Sequence, residues 1–68
     1  MVDTEELRNV IKNRGLKYGY IASEMGLSLY GLQRKIDGIT DFKAKEIVEL
    51  TGILKLTKAQ RDSIFLSG

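Results

Sequence analysis

Apolar residues recur along this chain in short clusters at helical spacing, and glycines or small polar residues separate the clusters. Leu7, Val10 and Ile11 share one face of a first helix over about Thr4–Arg14. Asp3 is its expected N-cap, with Glu6 reaching back in a capping box, and Gly15 is its C-terminal cap. Leu16 is expected to be buried in the connection. Ile21, Ala22 and Met25 line a second helix that starts at Lys17 or Tyr18 and breaks at Gly26. Ser28 then caps a third helix over about Leu29–Ile36, with Leu32 and Ile36 facing inward and Gly38 closing it. Thr40 or Asp41 starts a fourth helix over about Phe42–Thr51. Ala44, Ile47, Val48 and Leu50 are its apolar residues, and Gly52 is expected to stop it. A second capping-box pattern, Thr57 followed by Gln60, opens a fifth helix whose apolar residues are Ile64 and Phe65. No segment alternates strictly and none is rich in strand formers, so the expected class is all-α with five helices.

Composition narrows this picture. Sixty-eight residues make one expected domain spanning residues 1–68, near the lower limit for folding without staples. The chain has no cysteine and no histidine, so disulfides, the usual metal ligands and the usual general base are missing. No metal or cofactor is expected. With 43% hydrophobic residues the core must supply the stability, and a homodimer would help. No apolar run is long enough to span a membrane, and the first residues are polar and acidic, unlike a signal peptide; a cytoplasmic protein is the expectation. The net charge is only +2, but it is unevenly placed. From Lys12 to Lys45 there are seven basic residues against three acidic ones, while the remainder of the chain is net acidic. Such a basic middle suits a face presented to phosphates, and equally a mixed solvated surface.

The segment from Tyr18 to Ile36 makes a demand at nearly every position. Ala22 sits where two short helices cross, and a larger side chain would push them apart. Gly26 begins a three-residue turn, Gly26-Leu27-Ser28, where a left-handed conformation is wanted. Leu27 plugs the corner into the core, while Ile21, Met25, Leu32 and Ile36 hold the two helices together. These positions describe a helix-turn-helix over about residues 18–36, a motif whose second helix enters the DNA major groove.

This segment, with the Gly38 that follows, resembles the lambda-repressor and Cro-like helix-turn-helix family, matching at Ala22, Gly26, Leu27 and Leu32 without a gap. The order of five helices is similar as well. The closing stretch from Leu56 to Phe65 looks like the last helix of short phage-encoded Cro-like regulators. The resemblance implies a compact five-helix domain that binds a double-stranded DNA operator and regulates transcription as a repressor. It further implies that Leu29, Tyr30, Gln33 and Arg34 face base edges: Gln33 suits adenine, Arg34 suits guanine or a phosphate, and Leu29 suits a thymine methyl. Lys17, Tyr18, Ser28, Lys35, Lys43 and Lys45 are the implied phosphate contacts. Asp37 stands where many relatives carry Asn, and a carboxylate there is unfavourable near phosphates unless it is paired or turned away.

Leu29 and Tyr30 exposed together would also suit a protein interface. The chain would then be a modulator of a partner repressor, or an antitoxin that binds a toxin, using the same helix. Tyr20 is expected to be a partly buried packing residue. The carboxylates make no obvious pair and the glycines make no phosphate-cradling loop, so an enzyme is not expected. Ile64 and Phe65 are expected to close the monomer core, leaving Leu66 for a partner.

Overall fold

Helix-forming pattern and caps agree along most of the chain. The structure, a computed structural model, describes residues 2–66; Met1, Ser67 and Gly68, the ends of the expected domain, lie outside them. Among the described residues there are five helices and no strands: α1 (Thr4–Arg14), α2 (Tyr18–Met25), α3 (Leu29–Ile36), α4 (Ala44–Leu54) and α5 (Lys58–Phe65). None is long and apolar enough to cross a membrane.

The inner faces of all five helices meet in one core. Leu7, Ile11, Ile21, Leu32, Ile36, Leu50, Leu54 and Ile64 are fully buried, and Val10, Ala22, Met25 and Phe65 join them. Leu16, Tyr18 and Leu27 are half-buried against this cluster. The α2 helix packs on both α3 and α4, while α1 packs on α3, α4 and α5. Ala22 is 2% exposed, so the volume beside it is already filled. The turn between α2 and α3 rests on Gly26, whose φ of 67° is the left-handed region that a Cβ disfavours.

At the start of α1, half of the expected capping box forms. The Asp3 carboxylate accepts from the Glu6 N–H at 3.0 Å. Glu6 does not reach back, because the Asp3 N–H donates to the Ile64 carbonyl at 2.7 Å and the Glu6 carboxylate accepts from the Ser63 hydroxyl. Tertiary partners on α5 have replaced the local one. The box at Thr57 and Gln60 is complete, with distances of 3.1 and 3.0 Å.

The fourth helix departs from expectation at both ends. It starts at Ala44, two residues after Phe42, and runs through Gly52 to Leu54. Phe42 lies outside it, its ring edge-on to Phe65 with centroids 5.4 Å apart. A glycine inside a helix costs about 1 kcal/mol relative to alanine. Continuing the helix buries Leu54 completely, which is worth about 1.5–3 kcal/mol, so the helix continues. Lys55 ends it in the left-handed region at φ 53°. The Leu54 carbonyl, orphaned at this end, accepts from Arg14 Nε at 2.8 Å, which joins the last turns of α1 and α4. With the inner face set by Ile47, Leu50 and Leu54, the other two apolar residues named for this helix, Ala44 and Val48, face outward and are exposed. Tyr20 is likewise 52% exposed, not a packing residue of the core. Ile64 and Phe65 are buried as expected, and Leu66 is exposed.

Candidate nucleic-acid interface

The α3 helix separates its side chains sharply. Leu32 and Ile36 are buried, while Leu29, Tyr30 and Gln33 are exposed and Arg34 is half-buried. Ser28 fixes the start of the helix: its hydroxyl accepts from the Gly31 N–H at 3.0 Å and satisfies one of the four orphan donors of the first turn. The four residues expected to face base edges are therefore brought together on one exposed surface.

Two of those four hold each other. The Arg34 guanidinium lies 5.6 Å from the centroid of the Tyr30 ring, and its Nη1 donates to the Tyr30 hydroxyl at 3.3 Å. A cation over an aromatic face at an exposed site is worth about 0.5–1 kcal/mol, enough to bias one rotamer. Gln33, one turn after Leu29 and Tyr30, presents an exposed amide beside them.

Lys35 departs from the expectation that it meets a phosphate. Its ammonium lies 2.9 Å from Glu46 Oε1 and donates to the Asp41 carbonyl at 2.9 Å, and both side chains of the pair are largely buried, at 13% and 11% exposure. The same Glu46 oxygen accepts from the Lys43 N–H at 2.8 Å, so one carboxylate joins the end of α3 to the start of α4. Burial pushes the Glu46 carboxyl upward, but the Lys43 N–H, the hydrogen bond and charge of Lys35, and the charge of Lys43 outweigh it and hold the group below its ordinary value. Glu46 is not among the residues expected from the sequence to matter. A signal existed, because Glu46 occupies the third position of a helix that starts at Ala44, where a glutamate reaches back to the N-cap N–H. Starting the helix at Phe42 hid it.

No protein-family model, curated protein or solved structure matches the chain. The assignment of a role therefore rests on the chemistry of the surface itself.

The remaining expected phosphate contacts are distributed around helix starts. Lys17 is the residue before α2 and is exposed, without a capping bond from its side chain; Tyr18 follows it, half-buried against the core. Lys43 and Lys45 flank the first residue of α4, and both are exposed. Asp37, the residue unfavourable near phosphates, is paired with Arg8 of α1. Its charge is thereby compensated across the boundary between α1 and α3.

Proposed function

We propose that the chain is a sequence-specific double-stranded DNA-binding transcriptional regulator of the Cro-like kind, in which residues 18–36 act as a helix-turn-helix and α3 enters the major groove. The division of α3 carries this reading. Leu32 and Ile36 anchor it, and Leu29, Tyr30 and Gln33 stand exposed along its other side with the half-buried Arg34 beside them. Gln33 pairs bidentately with adenine, and Arg34, steered by Tyr30, meets guanine or a neighbouring phosphate. Leu29 packs on a thymine methyl. Lys17, Tyr18, Ser28, Lys43 and Lys45 contact the sugar-phosphate backbone, and the α2 and α3 N-termini favour its negative charge. Lys35 is left out of this set; with Glu46 it holds α3 on α4.

Selection of bound sequences from a random duplex pool, followed by a salt titration on the enriched site, tests the proposal. A defined motif should emerge, and binding should weaken with a log–log slope of about −0.9 per neutralised phosphate. Lys43→Ala should weaken all sequences alike and flatten the slope by about one unit. No enrichment, with affinity indifferent to salt, would overturn the reading.

One observation favours a second reading. Leu29 and Tyr30 are 46% and 68% exposed, a neighbouring pair with much apolar surface. In a modulator of a partner repressor, or an antitoxin, this pair would be buried against protein. Tyr30→Ala would then abolish partner binding, while Gln33→Ala would leave DNA binding unaltered.

A further inference from the structure

A groove of about 530 Å³ lies between α2 and α4, and no residue of α3 lines it. Tyr20 and Glu24, one turn apart on α2, form one wall. Val48 and Gly52, one turn apart on α4, form the other, with Glu49, Ile53 and Lys55 completing the lining. We infer that this groove is the interface of a homodimer, a two-fold contact in which Lys55 of each copy meets Glu24 and Glu49 of the other. The inference does not rest on the DNA-binding reading, because it uses none of the residues assigned to DNA.

Three observations carry it. First, Tyr20 and Val48 are 52% and 72% exposed, and they place apolar surface on both walls of one groove, where the core has no use for it. Second, Gly52 sits inside α4 at the intrinsic cost of a helical glycine, yet a Cβ built there meets nothing within 4 Å. Packing within the chain gives no reason for a glycine. Its absent side chain leaves a gap in the α4 wall into which the partner's Tyr20 fits. Third, the charges suit self-association. Among the described residues the ion pairs are Arg8–Asp37, Lys35–Glu46 and Arg61–Asp62, so Glu24, Glu49 and Lys55 have no counter-charge at ion-pair distance. A two-fold interface sets a patch against itself, residue i on residue j and j on i. A patch of one sign would repel its copy. This patch carries both signs, so both ends of the contact can pair at once.

Sedimentation analysis from micromolar to millimolar concentration, in the absence of DNA, tests this. The chain should pass from monomer to dimer. Val48→Asp should leave it monomeric throughout with unchanged circular dichroism, since Val48 supports nothing inside the monomer. Lys55→Glu alone, and Glu24→Lys/Glu49→Lys alone, should each be monomeric through self-repulsion, and mixing the two variants should restore a dimer. A wild-type chain that stays monomeric at millimolar concentration overturns the inference and gives the groove to a different protein. A dimer that survives Val48→Asp and Lys55→Glu overturns it too, placing the contact elsewhere, such as at the exposed Leu66. DNA binding by a monomeric wild type would leave the functional proposal standing while this one fell.

Discussion

The two ends of α3 are held in different ways. Its first turn is fixed by short-range contacts to Ser28, whose hydroxyl accepts from the Gly31 N–H and whose carbonyl accepts from the Leu32 N–H, and its outward side chains Leu29, Tyr30 and Gln33 stand in solvent. Its last turn is fastened to two other helices. Lys35 reaches Glu46 and the Asp41 carbonyl, Asp37 just beyond the helix pairs with Arg8 of α1, and the Arg34 carbonyl accepts from the N–H groups of Ile39 and Thr40. A helix clamped at its C-terminal end and along its buried side presents its N-terminal end as a fixed surface. Substitutions at the clamped end should therefore be felt as stability, and those at the free end as recognition.

The largest effect expected from this contrast is at Lys35. Lys35→Met leaves the largely buried Glu46 carboxylate without its counter-charge, and should cost about 3 kcal/mol. Replacing both residues, Lys35→Met with Glu46→Leu, should recover much of that loss, because no charge is then stranded. Denaturant unfolding of the three proteins measures this, and a double variant as unstable as the single one would contradict it. Acid sharpens the same point. The folded-state pKa of Glu46 is lowered from its ordinary 4.5, so the stability the ionised form contributes is complete above that value and is lost as pH falls through the lower folded-state pKa. Wild type should therefore exceed Glu46→Gln in thermal midpoint at neutral pH, and the gap should close in acid. A gap that widened in acid would reverse the sign assigned to this pair.

At the free end the expectation inverts. Gln33→Ala should leave the unfolding free energy within about 0.5 kcal/mol of wild type, the usual range for a surface change. It should cost about 1–3 kcal/mol in affinity for the selected site, through the lost bidentate contact. On unrelated duplex the loss should be much smaller, since binding there rests on phosphates. Equal losses on both would remove the base-reading role and leave α3 as a backbone-binding surface.

The same contrast marks what was legible in the sequence. The bounds of α1, α2 and α3 follow from caps and spacing because local chemistry decides them: Asp3, Gly15, Gly26 and Ser28 each act within a turn of their own position. The start of α5 follows likewise from Thr57 and Gln60. Local chemistry misleads where a distant partner competes. Gly52 carries a stop signal, but burial of Leu54 and the Arg14 bond to its carbonyl extend α4 past it. Lys35 shares a helix with the exposed Gln33, and only the fold turns its ammonium toward Glu46. The exposed surface of α3 was foreseeable from the apolar period of Leu32 and Ile36, since whatever faces away from them is left to solvent. The signal for Glu46 was present but masked, because it depends on a helix start at Ala44 that Phe42 and Asp41 obscure.

The smallest effect expected concerns the other tether. Arg8 and Asp37 pair across the boundary between α1 and α3, with side chains 45% and 48% exposed. Water solvates both charges when the contact breaks, so neither is stranded as Glu46 would be. Arg8→Ala should therefore cost below about 1 kcal/mol, and the cost should shrink further as salt screens the pair. Its consequence for binding should be larger than for folding. Without Arg8, the Asp37 carboxylate loses its compensating charge and repels phosphates near α3, so DNA affinity should fall at low salt with little change in which sequence is preferred. Arg8→Ala/Asp37→Asn removes both charges and should restore affinity. If Arg8→Ala weakens binding and the double variant does not recover it, Arg8 itself touches the DNA, and the phosphate-contacting surface extends onto α1.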